Sequence, residues 1–213
     1  MLEEVEDTDE PNGTTISIKI TNDRIKVAER AKFVELLSTH YALRDILSSP
    51  KRNVMLVFND LKRSTQRTTK IEFKPPDGEK VVDKEVLMPG YDDRVKIVIY
   101  ESYQQLSSPR NNPFGLAGIL IKTRSAILDN QLFKFDNDPA ALYFFGEAVC
   151  LGLEERLRHG ETGLIDPNRG GLEWRHEYCQ VLAQTIEEIL EPLVLEKRKS
   201  LEKKPEREVG ENI

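Results

Sequence analysis

The chain has 213 residues, 38% hydrophobic and 32% charged, which suits one domain or a domain with an appendage. No apolar run approaches the roughly 18–20 residues that span a bilayer, and no apolar segment follows Met1, so neither a membrane span nor a secretory signal is expected. The formal net charge of -6 is concentrated at the start: residues 1–10 hold six acids and no base, and the remainder is balanced.

Residues 1–12 read as an acidic, solvated leader. After the turn Pro11-Asn12-Gly13, Thr14 to Ile20 alternates, with Ile16, Ile18 and Ile20 on one face, and predicts a half-buried strand. Residues 25–47 change to helical spacing, and Ser48-Ser49-Pro50 ends that one long helix or two short ones. Val54 to Phe58 is an apolar run that predicts a central strand. Thr68 to Phe73, the turn Pro75-Pro76-Asp77-Gly78 and Glu79 to Val82 predict a hairpin. Val95 to Tyr100 and Ile119 to Ile121 are further strands. Leu142, Phe145, Val149 and Leu153 predict a helix from Pro139 to about Arg158, ended by Gly160 and Gly163. The loop Ile165–Gly171 leads to a last helix, about Glu173 to Lys203, with Pro192 as a kink candidate and a polar tail from Pro205.

This order predicts an α+β fold, a mixed or antiparallel sheet with helices on one face. Six bases between Lys51 and Lys70 face one acid, Asp60. Cys150 and Cys179 lie in contexts read as helical and predict reduced, buried thiols in a cytoplasmic protein. Phosphate-loop, dinucleotide, C-x-x-C and H-E-x-x-H motifs are absent from the sequence. His40, His159 and His176 stand apart and read as surface or helix-end residues, and Asp92-Asp93 and Asp136, Asp138 as capping or solvated acids in turns.

Several stretches resemble the GHKL ATPase superfamily of gyrase B, heat-shock protein 90, MutL and histidine kinases. Gly13-Thr14-Thr15-Ile16-Ser17-Ile18 resembles the final G-T-x-[IV]-x-[IL] strand of its nucleotide-binding domain. Ala117 to Asn130 looks like a middle-domain strand of the heat-shock protein 90 branch, and Phe145-Gly146-Glu147-Ala148-Val149-Cys150 is similar to its next conserved region. Asp166-Pro167-Asn168-Arg169-Gly170-Gly171-Leu172 sits where that branch has N-x-S-R-E-x-L, with departures at Gly170 and Glu173. The likeness covers about residues 13–200.

The resemblance implies the downstream half of a larger ATPase: its last ATPase-domain strand (13–23), a transducer or middle domain of the ribosomal-protein-S-five-like type (24–175), a C-terminal helix (176–204) and a polar tail (205–213). It makes Arg169 the γ-phosphate contact, sets Thr14 and Gly13 at the edge of the nucleotide pocket, and ranks Lys122 and Arg124 as further nucleotide-side cations. ATP and magnesium belong to the parent protein, with none expected for this chain alone, and the partner is an N-terminal ATPase domain not encoded here. Two alternatives stay open: a nucleic-acid-binding module using the basic stretch 51–70, and a protein-interaction or homodimer module using Leu182, Ile186, Ile189 and Leu193 of the last helix.

Overall fold

The computed structural model describes residues 29–60, 64–110, 115–124, 126–167 and 171–210. The expected leader, the strand Thr14–Ile20 with Gly13 and Thr14, and Arg169 lie outside the described residues.

The helical region resolves into α1 (Arg30–Thr39) and α2 (Arg44–Leu47), joined by a 3-10 turn. Next come β1 (Val54–Asp60) and β2 (Thr65–Ile71), which pair only with each other as an antiparallel ribbon. The main sheet consists of β3 (Gly78–Leu87), β4 (Arg94–Ser102), β5 (Gly118–Lys122), β6 (Ile127–Gln131) and β7 (Phe144–Cys150), in the order β3-β4-β7-β5-β6. Neighbours are antiparallel except β5 and β7, which run parallel, so the expected mixed sheet is present. A short helix, α3 (Leu151–Arg158), follows β7, and α4 (Glu177–Gly210) closes the chain.

The core follows from alternation. Val95, Ile97 and Ile99 of β4, Ile119 and Ile121 of β5, and Phe144, Ala148 and Cys150 of β7 are all buried. They lie in one cluster with Tyr178, Leu182, Ile186, Ile189, Leu190 and Val194 of α4. Each Val, Leu, Ile or Phe side chain here taken fully from water stabilises the fold by about 1.5–3 kcal/mol. Leu182, Ile186 and Ile189 therefore belong to the chain's own core, with Leu193 packed against it. The second sheet face carries Tyr100, Phe145, Glu147 and Lys122, and α2 meets it through Arg44 and Asp45. Helical segments thus meet both faces, rather than the one expected.

Four other expectations are corrected. Val54–Phe58 is not a central strand: Met55, Val57 and Phe58 are 52%, 49% and 39% exposed. A run of apolar residues reads as doubly buried only when something covers it, and the sequence does not say what does. The hairpin across Pro75-Pro76-Asp77-Gly78 does not form, because β2 has β1 as its partner while β3 pairs with β4. The two prolines, lacking N–H donors, sit in the connection instead. Residues 144–150 are a strand, so Cys150 is not helical. The period-2 burial Phe144, Gly146, Ala148, Cys150 overrides the helical stripe, and a Cβ at Gly146 would lie 2.1 Å from the Val98 carbonyl of the neighbouring strand. Helix α3 begins only at Leu151, and Gly160 follows it at φ +75 as expected of a stop. Finally, α4 starts later and runs further than predicted, through Pro192 and Pro205. Among the described residues no helix is long and apolar enough to cross a membrane.

Candidate functional site

Edge strand β6 carries a lone acid in an apolar context, Ile127-Leu128-Asp129. Asp129 pairs across from Ile121, so its side chain shares the sheet face that α4 covers. A buried carboxylate is tolerated only when its lone pairs are filled, and here four N–H groups fill them. Oδ2 accepts the backbone N–H of Leu172 at 3.1 Å and the indole N–H of Trp174 at 3.0 Å. Oδ1 accepts the backbone N–H of Asn130 at 2.7 Å and the Gln131 side-chain amide at 2.9 Å.

The Leu172 and Trp174 bonds hold the C-terminal stem of the loop between α3 and α4 against the sheet edge. Its stems form an isolated antiparallel bridge, Ile165 with Leu172. Asp166 donates its N–H to the Gly171 carbonyl at 3.1 Å, and Glu173 to the Leu164 carbonyl at 2.9 Å. Gly171 has φ +125, and a Cβ there would lie 2.4 Å from Asp129 Oδ2, so glycine is required for both conformation and space. Trp174 stands edge-on to Phe133 at 5.1 Å. Just outside, Arg175 grips Glu173 through two bonds of 2.9 and 3.0 Å, and this holds the Glu173 carboxyl down at about 2. Arg169, which the resemblance sets in this loop, lies outside the described residues.

The other candidate cations are separated from this loop. Lys122 is buried on the opposite sheet face, 2.8 Å from Asp45 and 3.2 Å from Glu147, and Arg44 lies 3.3 Å from the same Glu147. Two cations meet two carboxylates there, which fastens α2 to β5 and β7. Arg124 is exposed beyond the end of β5, and its backbone N–H is bonded to Glu154 at 3.0 Å. Beside the Lys122 cluster, Tyr100 and Phe145 stack at 5.2 Å and border a cavity of about 320 Å³ shared with Phe73, Pro75 and Arg44.

The thiols are not poised for chemistry. Burial pushes the Cys150 thiol up, although it meets the Tyr178 hydroxyl at 3.1 Å, and pushes Cys179 up to about 12. Arg156 packs 4.2 Å above the Tyr178 ring and bonds Glu161 at 2.9 Å, which ties α3 to α4. His159 bonds the Glu155 carbonyl at 2.8 Å, and His176 Nδ1 accepts the Tyr178 N–H at 3.3 Å, so both are helix-end residues as expected. Asp138 accepts the Ala140 N–H at 2.9 Å in the turn before Ala141 and pairs with Arg198. Among the described residues no three His, Cys, Asp or Glu side chains gather where they could hold a metal ion.

Asp129, Asp45 and Glu147 carry the geometry, yet motif reading did not single them out. The available signal was a single acid on the apolar face of a strand, which implies a dedicated set of donors. Compared with family models, curated proteins and solved structures, the chain finds no match.

Proposed function

We propose that this chain is the coupling, or transducer, part of a GHKL-type ATPase of the heat-shock protein 90-like kind, inactive alone, that offers a loop arginine to ATP held by another domain. One observation supports this reading above the others: the stems of the loop Ile165–Leu172 are bridged to each other, and a buried carboxylate holds the C-terminal stem through the Leu172 and Trp174 N–H groups. A residue displayed from a rigid base can be placed within the tolerance that phosphoryl-transfer chemistry needs. A guanidinium suits the task, being permanently charged and bidentate. Its value is greatest where charge develops on the γ-phosphate in the transition state. In this reading ATP and its magnesium are held elsewhere, and this chain contributes Arg169 and the clamp that positions it. Lys122, already matched by two carboxylates, holds α2 on the sheet. The exposed Arg124 stays a secondary cation.

The test is steady-state ATP turnover and nucleotide affinity of the protein joined to its ATPase domain. Arg169→Ala is expected to lower turnover while affinity stays nearly unchanged, because the contact is made in the reacting state. The loss should fall short of the roughly 10³–10⁵-fold known for arginine fingers, since Gly170 and Glu173 depart from the family loop. Asp129→Ala should lower turnover in the same direction. Unchanged turnover in Arg169→Ala, or hydrolysis by the present chain alone, would defeat the proposal.

A further inference from the structure

The ribbon β1–β2 stands apart from the coupling role. Cross-strand partners share a face, so Met55 with Lys70, Val57 with Thr68 and Asn59 with Gln66 form one surface. All six are exposed. The reverse face turns toward the body of the protein at one end, where Ile71 is buried and Arg30 of α1 bonds the Thr69 hydroxyl, while Phe58 and Arg67 at its other end are exposed. The outward face therefore has no cover among the described residues.

Its chemistry is specific. Asn59 and Gln66 sit side by side, and carboxamides make bidentate bonds to the adenine edge. Lysine suits the guanine acceptors, while the methyl of Thr68 and the side chain of Val57 suit the thymine methyl. Lys51 and Arg52, both exposed, precede β1 at the end of the ribbon where Lys70 lies. Glu72 makes an exposed pair with Lys70 at 2.8 Å, of a kind that costs little to exchange for a phosphate. Two antiparallel strands spaced about 4.8 Å apart, with their side chains, match a major groove about 12 Å wide.

We propose that the outward face of this ribbon enters the major groove of duplex DNA, with Lys51 and Arg52 on the phosphates and Asn59 and Gln66 on base edges. Charge selects this occupant: the end of the ribbon is cationic, whereas the chain as a whole is net acidic. Neutralised phosphates release counterions, so affinity must fall as salt rises.

The experiment is fluorescence anisotropy of the full chain with a labelled duplex two helical turns long, between about 50 and 200 mM salt. Binding at low salt is expected, with a preference for A·T-rich over G·C-rich duplex of about fivefold or more. Replacing Lys51 and Arg52 together by Gln should reduce the log–log salt slope by about 1.8. Asn59→Ala with Gln66→Ala should keep the slope and abolish the A·T preference. The proposal is overturned by no binding at the lowest salt, by a slope indifferent to Lys51 and Arg52, or by single strands bound as tightly as duplex. Self-association through the same face, seen as a dimer that Val57→Lys dissolves, would replace DNA with a second copy and equally overturn it.

Discussion

Trp174 donates its indole N–H to Asp129 Oδ2 at 3.0 Å, a bond that spans 45 residues of sequence and joins the connection before α4 to the edge of the sheet. Because Leu172 N–H meets the same oxygen, removing the carboxylate orphans a buried backbone donor. Asp129→Ala is expected to destabilise the chain by about 1–3 kcal/mol. Trp174 is the only tryptophan, so its emission reports the clamp directly. Denaturant melts and emission spectra should both move, and an unchanged emission maximum would show that the clamp does not exist in solution.

Gly171 and Gly90 both have positive φ, at +125 and +80, but only Gly171 is crowded. Gly90→Ala meets open space and carries only the left-handed backbone penalty, about 1–2 kcal/mol. Gly171→Ala adds displacement of the Asp129 carboxylate, so its loss of stability should be clearly the larger of the two. Equal shifts in melting would argue that the loop backbone relaxes without involving Asp129.

The thiols test the core. Cys150 and Cys179 are both buried, and burial holds each thiol protonated, Cys179 up to about 12. At pH 8 a thiol reagent should label neither in the native protein and both after denaturation. Rapid native labelling of Cys179 would contradict the packing of α4 on the sheet.

Glu173 and Asp83 are both held at about 2, Glu173 by Arg175 and Asp83 by Lys80 and Lys96. A depressed carboxylate binds its proton more readily in the unfolded chain. Its contribution is therefore complete above the usual carboxylate range and lost as pH falls toward 2. Asp83 and the Arg175 partner of Glu173 are exposed to solvent, so each effect is small. Melting temperatures measured from pH 5 to pH 2 should fall less steeply in Glu173→Gln than in the parent chain. Parallel curves would mean that the Arg175 pair does not persist in water.

Local periodicity was enough to read much of the framework. Alternating Val95, Ile97 and Ile99 named β4, Gly160 named the end of a helix, and Leu182, Ile186 and Ile189 named the buried stripe of α4. These signals survive in one dimension because each element shows its own period against water. The α+β class followed from their order. The same local rules misread Phe144–Cys150, whose residues fit a helical stripe and a strand alternation equally well. Close packing of Gly146 on the Val98 carbonyl settles that choice, and it exists only once β4 and β7 are neighbours.

Partner identity was likewise out of reach. Val54–Phe58 has the composition of a central strand and stands in an exposed ribbon, since burial is a property of what lies opposite. For the site, the sequence pointed to the loop Ile165–Gly171 through its turn-forming residues and its resemblance. That Asp129 grips this loop from 43 residues away could come only from the folded chain. A carboxylate buried among apolar neighbours states that it needs donors, but nothing in its own segment says which ones. Tertiary structure decides that by bringing Leu172 and Trp174 within hydrogen-bond reach of one oxygen.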